Sequence, residues 1–493
     1  MELLLNLEQH FIPFRQNIIG IDQTFDSPYG EQKILYADWT ASGRLYKTIE
    51  DKLAWEYGPF VGNTHTETNI TGTSMTLAYQ MAHQSIKQHC HADPEDVIIN
   101  AGFGMTAAVN KFQRILGLKI PEQFRDCIDV NVKCRPIVFV THMEHHSNQT
   151  SWEETIAEVI VIPPGRDGHI DLNRLDETVK KYQDRMFKIG AFTAASNVTG
   201  IPTSVHDMAR IMHSYDGFCF VDYAASAPYV QIDMHPVGDK DAKLDALFFS
   251  PHKFLGGPGS SGVLIFDSQL YTNKVPDQPG GGTVLWTNPW HQHHYVSDIE
   301  TREDGGTPGF LQAIRGALAI KLKEKMGTGN ILAREQQMVQ RLFSGLRSIP
   351  HIHILADNIE QRLGIFSFYV HNIHYNLMVR LLNDRFGIQV RGGCSCAGTY
   401  GHYLLHVDPQ RSKSMTDKID QGDLSAKLGW VRLSVHPIMS DDEIEYIIDA
   451  VKQIVKQGEK WGGDYRYDPQ TNEFIHKHQP VDVAKQIEAW WAL

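Results

Sequence analysis

The chain has 493 residues, 42% of them hydrophobic, which predicts two domains, or a large domain with a smaller companion. Its net charge of −12 disfavours nucleic acid as a partner, because binding a phosphate backbone needs a basic surface. No apolar stretch approaches the roughly 18 residues of a membrane span, and residues 1–10 lack the basic region and long apolar core of an export signal. Six scattered cysteines are typical of a reducing compartment, so we expect a cytoplasmic protein without a membrane partner.

Between residues 95 and 266 the sequence alternates short apolar runs with longer amphipathic segments. This rhythm predicts an α/β fold in which helices cover a mainly parallel sheet. Ligands gather beyond the carboxyl ends of strands in such sheets, so the loops after the runs contain the candidate site. The predicted strands span residues 97–100, 136–140, 159–162, 189–192, 218–222, 246–249 and 262–266.

Three of these loops offer polar groups to a ligand. The glycine turn at residues 101–104 opens a helix whose amides, with the Thr106 hydroxyl, suit a phosphate, although an ordinary tight turn explains the glycines equally well. The loop at 141–148 contains three histidines, and the loop at 195–200 contains Asn197. Together they supply the groups that a bound aromatic cofactor would need.

Asp222 and Lys253 follow two successive predicted strands. A lone lysine is usually a solvated surface residue. A carboxylate at a strand end, however, can keep a pyridine nitrogen protonated, and a lysine amine can form a Schiff base with an aldehyde. The pair therefore indicates pyridoxal 5'-phosphate as the cofactor.

Residues 310–475 contain longer helices and predict an α+β domain. Ser440 begins a capping box before an apolar helical face, with Gly458 just past the predicted end of that helix. The polar segment 400–427 is typical of a mobile loop or an insertion. Further strands are predicted at residues 364–370, 387–391 and 430–435. We expect four parts: an N-terminal segment joining the small domain (1–35), a large cofactor-binding domain (36–300), a small α+β domain (301–460) and a tail (461–493).

From residue 36 to residue 455, the sequence resembles the class V aminotransferase-like, fold-type I pyridoxal phosphate enzymes, and within them the cysteine desulfurase and selenocysteine lyase group. The resemblance rests on a divergent entry motif at 36–43, the Met-Glu-His-His segment at 143–146 and the residues around Lys253. It implies a large domain with a mainly parallel mixed sheet, plus a smaller α+β domain. It also implies roles for individual residues. His145 would stack on the cofactor ring, Asn197 would contact the ring hydroxyl, and Asp222 would contact the pyridine nitrogen. Lys253 would form the Schiff base, and the phosphate would be bound by Thr106, Ser250 and His252.

The resemblance also implies a homodimer with shared active sites. The segment 305–309 resembles the family segment that enters the neighbouring subunit's site, so Thr307 is expected to bind phosphate across the interface. Two positions depart from the family pattern. Ala225 stands where many members have a glutamine facing the ring hydroxyl, and Met105 replaces a phosphate-binding hydroxyl residue. We therefore expect the electronics of the cofactor ring to differ from those of typical members.

Cys394 and Cys396 decide the predicted reaction. In desulfurases a mobile cysteine shortly after an arginine attacks the sulfur of bound cysteine. Counted from Arg391, Cys396 falls on that position. The Gly-Cys-x-Cys pattern also resembles the desulfurase domain of molybdenum-cofactor sulfurases. His402 or His406 could favour its thiolate. The two cysteines could instead be a structural pair. The two cysteines could also bind a metal together with histidines such as His291, His293 and His294. We do not expect such a site, because these residues lack a recognisable ligand spacing.

Arg432 matches the family arginine that clamps the substrate carboxylate, with Arg391 in support, which implies an amino-acid substrate. The predicted function is cysteine desulfurase or selenocysteine lyase activity, in which Lys253 acts as base, Cys396 takes up a persulfide and alanine leaves. A sulfur-acceptor protein could then be a partner. Two alternatives stay open: a class V aminotransferase, epimerase or β-eliminating lyase with silent cysteines, and a catalytically silent scaffold of this fold.

Overall fold

The structure is a computed structural model that describes residues 6–64, 66–127, 131, 134–478 and 483–492. The expectation that residues 1–10 form no export signal falls in part on residues 1–5, which lie outside the described residues, as do residues 479–482 and 493 of the tail. In the described ranges, no helix is both long and apolar enough to cross a membrane.

Strands and helices alternate along most of the described chain. The strands are β1 (Thr24–Ser27), β2 (Gly30–Lys33), β3 (Leu35–Tyr36), β4 (Val97–Ala101), β5 (Ile137–Thr141), β6 (Glu158–Ile162), β7 (Lys188–Thr193), β8 (Phe218–Asp222), β9 (Ala246–Phe249), β10 (Gly262–Phe266), β11 (Val284–Thr287), β12 (His293–Tyr295), β13 (Ile352–Ile354), β14 (Ile365–Val370), β15 (Ile388–Gln389), β16 (Arg391–Gly393), β17 (Trp430–Ser434), β18 (Tyr465–Asp468) and β19 (Glu473–His476). The α-helices are α1 (Leu7–Arg15), α2 (Lys47–Asp51), α3 (Ile70–His89), α4 (Met105–Ile115), α5 (His146–Glu153), α6 (Leu172–Lys181), α7 (Val205–His213), α8 (Ile299–Glu303), α9 (Phe310–Met326), α10 (Thr328–Arg347), α11 (Tyr375–Phe386), α12 (Gly398–Leu404), α13 (Pro409–Asp420), α14 (Asp441–Gly462) and α15 (Val483–Trp491).

Strands β4 to β10 form one seven-stranded sheet in the order β4-β10-β9-β8-β7-β5-β6. Strand β10 runs antiparallel to both of its neighbours, whereas the other adjacent pairs are parallel. The predicted α/β fold with a mainly parallel sheet is confirmed, and each of the seven predicted runs forms one strand of this sheet. The central strands are buried on both faces, which explains their continuous apolar sequences.

A second, antiparallel sheet has the order β13-β14-β17-β16 and packs against α10 and α11. The predicted capping box at Ser440 is confirmed at the start of α14. The predicted end of that helix at Gly458 is wrong, because α14 continues to Gly462. An added Cβ on Gly458 would lie 2.8 Å from Ile373 Cδ1, so this glycine allows close packing rather than ending the helix. The predicted strand 387–391 is divided, because its first part, β15, pairs with β3 and its last residue joins β16 beside β17.

The segment 400–427 is largely helical, so the expectation of a loop is wrong, whereas the alternative of an insertion stays a prediction. We call this segment the insert; it contains the end of α12, all of α13 and a short turn at Leu424–Ala426. Asp408 caps α13 by accepting a hydrogen bond of 2.8 Å from the Arg411 amide, and Pro409 occupies the first helical position. No residue of α13 is buried, so this helix lacks the apolar periodicity by which sequence patterns predict helices.

Segments near the two ends of the chain contact the helices α14 and α11. Arg15 of α1 forms an ion pair of 2.6 Å with Glu443 of α14. Strands β18 and β19 form an antiparallel hairpin, which we call the C-terminal hairpin, and its Tyr465 hydroxyl donates to Asp384 of α11 at 2.8 Å. The division of the chain into four parts stays a prediction.

Candidate active site

Two adjoining cavities lie where β7, β8 and β9 end. The inner cavity, of about 590 Å³, opens beside the N-terminus of α4, and its lining includes Gly104, Thr106, Asp222, Ala225, Ser250 and His252. The outer cavity, of about 460 Å³, has a lining that includes Thr40, Arg391, Cys394, Cys396, Lys427 and Arg432. Three residues line both cavities: His145, Asn197 and Lys253.

Asp222 and Lys253 come together because their strands are neighbours. Asp222 is the last residue of β8, and Lys253 ends the short 3-10 turn after β9, which pairs in parallel with β8. Burial raises the pKa of Asp222 to about 6, although the Ala224 amide donates to its Oδ1 at 2.8 Å. Burial also lowers the pKa of Lys253 to about 8, and the nearby Asp222 carboxylate opposes that shift. The site thus brings a carboxyl group and a readily deprotonated amine to one edge of the sheet.

The far end of the inner cavity is a cradle of hydroxyl, imidazole and backbone groups. The Met105 amide, in the first turn of α4, donates to Ser250 Oγ at 2.8 Å, and His252 Nδ1 lies 2.9 Å from the Phe103 carbonyl oxygen. Thr106 Oγ1 lies 2.6 Å from Ser147 Oγ. A Cβ on Gly104 would lie 3.0 Å from Ser250 Oγ, so glycine leaves this space open. A helix N-terminus lined by hydroxyl groups suits a phosphate.

His145 lies at the wall between the two cavities and precedes α5. Its Nδ1 accepts a hydrogen bond of 3.1 Å from the Ser147 amide. Burial lowers the pKa of His145 to about 3, with nearby Lys253 adding to the shift, so the ring is neutral at physiological pH. A neutral, fixed imidazole is suited to stacking on an aromatic ring.

Glu144 holds the His145 loop in place. Its carboxyl group accepts hydrogen bonds from the Thr141 hydroxyl at 2.6 Å and from the Thr193 amide at 2.9 Å. Burial raises the pKa of Glu144 to about 7. Sequence reasoning did not assign a role to this residue; the available signal was an acidic residue three positions after the end of the apolar strand β5.

Arg432 and Arg391 share one carboxylate. Arg432, on β17 and only 4% exposed, donates from Nη2 to Asp38 Oδ1 at 2.8 Å and from Nη1 to the Asn197 carbonyl oxygen at 3.3 Å. Arg391, on the adjacent β16, donates from Nε to Asp38 Oδ2 at 3.1 Å, and 53% of its side chain is exposed. Asp38 therefore orients both arginines at the outer cavity. The sequence analysis placed Asp38 in the entry motif without a role.

The cysteine loop after β16 is tied to the large sheet. The Cys396 carbonyl oxygen accepts from the His146 amide at 2.8 Å, and the Asn197 side-chain amide donates to the Ser395 carbonyl oxygen at 2.8 Å. Ser395 and Cys396 both have left-handed backbones, with φ of 54° and 55°. Such conformations cost of order 1–3 kcal/mol each and cluster at functional sites. The Cys396 side chain is exposed, and Cys394 is half-buried in the same cavity.

The outer wall of the outer cavity comes from the insert and the C-terminal hairpin. Asn472, in the turn of the hairpin, donates from Nδ2 to the Tyr375 hydroxyl at 2.6 Å, and its backbone oxygen accepts from Asn376 Nδ2 at 2.5 Å. The Leu424 amide of the insert donates to the Pro469 carbonyl oxygen at 2.9 Å. Sequence reasoning assigned no function to either segment, because nothing in their local patterns shows which cavity they reach.

Several predicted site residues lie elsewhere. Thr307 lines neither cavity, and its hydroxyl donates to Asn63 at 3.1 Å. Both ring nitrogens of His402 contact other groups, namely the Gly398 carbonyl oxygen at 2.7 Å and Ser412 Oγ at 2.9 Å, while His406 lines a separate cavity. Among the described residues, no group of three or more His, Cys, Asp or Glu side chains is arranged to hold a metal ion.

The chain is similar, over most of its length, to a known protein family and to known proteins. The family model for aminotransferase class V matches residues 35–447. The chain belongs to the aminotransferase class V family. Among members of that family, it is 28% identical to a probable cysteine desulfurase of Staphylococcus epidermidis, over 76% of this chain and 86% of that protein. It is 27% identical to a probable cysteine desulfurase of Halalkalibacterium halodurans, over 76% and 86% of the two chains.

Solved structures show the same class V fold. A cysteine desulfurase from Thermococcus onnurineus superimposes with a TM-score of 0.71 at 22% identity, over 90% of this chain and 98% of that chain. The cysteine desulfurase CsdA of Escherichia coli superimposes with a TM-score of 0.70 at 20% identity, over 92% and 99%. The predicted architecture, a large sheet domain with a smaller α+β portion of fold type I, agrees with these neighbours.

The inner cavity fits the pyridoxal phosphate that this family implies. The cradle at Gly104 and Ser250 offers donors for a phosphate, and Asp222 offers a carboxyl group to a pyridine nitrogen. Asn197 Oδ1 is buried without a hydrogen-bond partner among the described residues, as expected for an atom that a ligand completes. The roles of the individual residues stay predictions.

Proposed function

We propose that this chain is a pyridoxal phosphate-dependent cysteine desulfurase, or a closely related selenocysteine lyase, which forms a persulfide on Cys396 and releases alanine. The observation that carries the proposal is the outer cavity, where Cys396 shares one space with Lys253, His145 and Arg432. Relatives named probable cysteine desulfurases support it. An aminotransferase or epimerase site would need no thiol at this position.

The inner cavity would hold the cofactor. Thr106, Ser250 and His252 would bind its phosphate, His145 would stack on its ring, and Asn197 would contact the ring hydroxyl. When bound, pyridoxal phosphate supplies an electron sink for the bonds around the substrate α-carbon, which the Asp222 carboxylate strengthens by keeping the ring nitrogen protonated. Lys253 would hold the aldehyde carbon, because its lowered pKa of about 8 leaves a larger fraction of its amine neutral at physiological pH than an ordinary lysine has.

Arg432 and Arg391 would fix the carboxylate of the amino acid. Both guanidinium groups are already oriented by Asp38, so binding costs little side-chain entropy. The carboxylate then places the α-carbon near Lys253, which lines the same cavity. Its free amine accepts the α-proton, and the resulting ammonium returns a proton to carbon later in the cycle.

The thiolate of Cys396 would attack the γ-sulfur of the substrate. A sulfur–sulfur bond forms, the carbon–sulfur bond breaks, and the electron pair stays on the β-carbon, which takes up a proton so that alanine leaves. The persulfide then passes its outer sulfur to an acceptor thiol, of a protein or a small molecule. The strained backbone at Ser395 and Cys396 supports this role, because it presents the exposed thiol toward the outer cavity.

We also infer a homodimer in the cytoplasm. Large apolar side chains are exposed around the inner cavity and on the β11–β12 hairpin, among them Phe103, Trp286 and Trp290, which favours a protein interface. Thr307 would reach the phosphate of the partner's site rather than that of its own chain. All six cysteines are free thiols, which supports a reducing compartment.

The test is to incubate the cofactor-loaded protein with L-cysteine and a reductant, and to measure alanine and sulfide together. Wild type should release both in equal amounts, and Cys396→Ser should lose at least about 99% of this release, because its hydroxyl is a far weaker nucleophile than a thiolate. Cys394→Ser is the matched control and should retain release.

Two outcomes would contradict the proposal. Amino-group transfer or racemisation without alanine would indicate a different class V activity. Loss of release in Cys394→Ser, with full release in Cys396→Ser, would assign the persulfide to the other cysteine.

A further inference from the structure

We propose that Lys427 of the insert and Arg391 form an anion subsite in the outer cavity, which takes a negatively charged side-chain group of the amino-acid substrate. This inference rests on the proposed function, because it concerns the same site. It assigns a role to the insert and the C-terminal hairpin, which build the outer wall of the cavity. The favoured substrate would be a cysteine whose sulfur carries an anionic group.

The charge in the outer cavity is unbalanced. Three cationic residues line it, Arg391, Lys427 and Arg432, beside Lys253, whose amine would hold the cofactor aldehyde, and none of its described lining residues is acidic. Asp38 is the counter-carboxylate for two of them, Arg391 and Arg432. Within the described part of the chain, no carboxylate forms an ion pair with Lys427 or Lys253. The substrate α-carboxylate and Asp38 together neutralise two of these three charges, so one cationic charge remains, in a protein whose net charge is −12.

Polar atoms in this cavity also lack partners. Among the described residues, Thr40 Oγ1, Ser395 Oγ and Arg432 Nε are buried without a hydrogen bond, and all three residues line the cavity. Arg432 is 4% exposed, so its buried Nε donor is unfavourable unless a ligand supplies an acceptor. One α-carboxylate can use the Arg432 donor. The Arg391 guanidinium is only partly used by that carboxylate and by Asp38, so its remaining nitrogen and the Lys427 ammonium are available to a second anionic group.

The position of Lys427 is held by the wall around it. The Tyr375 hydroxyl contacts the Lys427 carbonyl oxygen at 3.5 Å and accepts from Asn472 at 2.6 Å. The Leu424 amide bonds to the hairpin at the Pro469 carbonyl oxygen. Asn376 Oδ1 would lie 2.3 Å from a Cβ on Gly392, so the same wall packs against the strand before the cysteines. These contacts hold the Lys427 backbone at the outer cavity, which the cysteine loop also lines.

The test compares two S-substituted cysteines that differ mainly in charge, S-sulfo-L-cysteine and S-methyl-L-cysteine. Their dissociation constants are measured by calorimetry on the cofactor-loaded full chain with Cys396→Ser, which prevents sulfur transfer. The anionic compound should bind about tenfold more tightly, because a charge-assisted hydrogen bond contributes of that order. Lys427→Met should reduce this ratio at least about fivefold, Lys427→Arg should restore it, and added salt should weaken it.

Lys418→Met is the matched control, since Lys418 is an exposed lysine of α13 that does not line the cavity, and its ratio should equal that of the parent. Equal affinity for the two compounds, or a ratio insensitive to Lys427→Met, overturns the subsite. A charge preference together with no alanine release from L-cysteine by wild type keeps the subsite and overturns the desulfurase function. A chain that shows no cofactor absorbance overturns both.

Discussion

The inner and the outer cavity are built in different ways. The inner cavity is formed by the segments directly after strands β4, β5, β7, β8 and β9, and most of its candidate side chains lie within a few residues of a strand end. The outer cavity collects the entry motif, the cysteine loop, the insert and the C-terminal hairpin, which are far apart in sequence. The topology of a parallel sheet thus brings the residues of the inner cavity together, whereas the outer cavity depends on packing between distant segments.

The two cavities also differ in how their polar groups are satisfied. In the inner cavity, most polar side chains already bond to neighbouring backbone, as Ser250 and Asp222 do. In the outer cavity, an arginine pair depends on the single carboxylate of Asp38, and several polar atoms lack partners. We therefore expect substitutions in the inner cavity to abolish cofactor binding, and substitutions in the outer cavity to change stability and substrate choice.

The largest effect is expected at the shared wall. Lys253→Ala should abolish covalent attachment of pyridoxal phosphate, because no other described lysine lines the inner cavity. Borohydride reduction followed by mass measurement of the chain checks this. Lys274→Ala, an exposed lysine in a loop, is the control and should attach the cofactor normally. A full cofactor mass increment in Lys253→Ala would refute the assignment.

Asp38→Asn should lower the free energy of unfolding by about 3–5 kcal/mol, because it leaves the buried Arg432 guanidinium without its counter-charge. Thermal and denaturant unfolding measure this. The matched control is Asp22→Asn, which removes an exposed partner of Lys33 and should leave the free energy of unfolding nearly unchanged. Similar losses in the two variants would show that Asp38 is not the organising carboxylate of the outer cavity.

Asn472→Gly should lower the free energy of unfolding by about 1–3 kcal/mol, because it removes two side-chain hydrogen bonds, with Tyr375 and Tyr467, while glycine still accepts its left-handed φ of 59°. Denaturant unfolding measures the change. Asn372→Gly replaces an exposed asparagine with a similar φ of 66° and should stay within about 0.5 kcal/mol. Equal effects would mean that the hairpin turn is not a structural part of the wall.

The smallest effect concerns pH. Because burial lowers the pKa of Lys253 to about 8, its amine is mostly protonated, and unreactive toward an aldehyde, below that pH. The rate of cofactor attachment to the apoprotein should therefore rise about tenfold per pH unit up to pH 8 and level off above it. Stopped-flow absorbance after mixing with pyridoxal phosphate measures this rate. A rate that still rises tenfold per unit between pH 9 and 10 would show that the amine keeps its ordinary pKa.

The sequence alone determined the sheet and the inner cavity. The seven apolar runs, Asp222 and Lys253 carry local signals, since burial of a central strand demands continuous apolar residues and its end must supply the ligand groups. Residues of one motif, such as those around His145, also enter the site together because they share one loop. Cys396 could be chosen as the candidate cysteine by its spacing from Arg391 along the sequence, although its role as nucleophile stays a prediction.

Only the tertiary structure decided how the outer cavity is completed. The helix α13 has no buried face, so its sequence carries no periodic signal, and the turn at Asn472 resembles any polar hairpin turn. Gly458 was wrongly predicted to end α14 because its local pattern does not reveal the contact with Ile373. Asp38 pairs with Arg391 and Arg432, which lie 353 and 394 positions further along the chain. Local patterns specify elements, whereas contacts between distant segments depend on the packing of the whole chain.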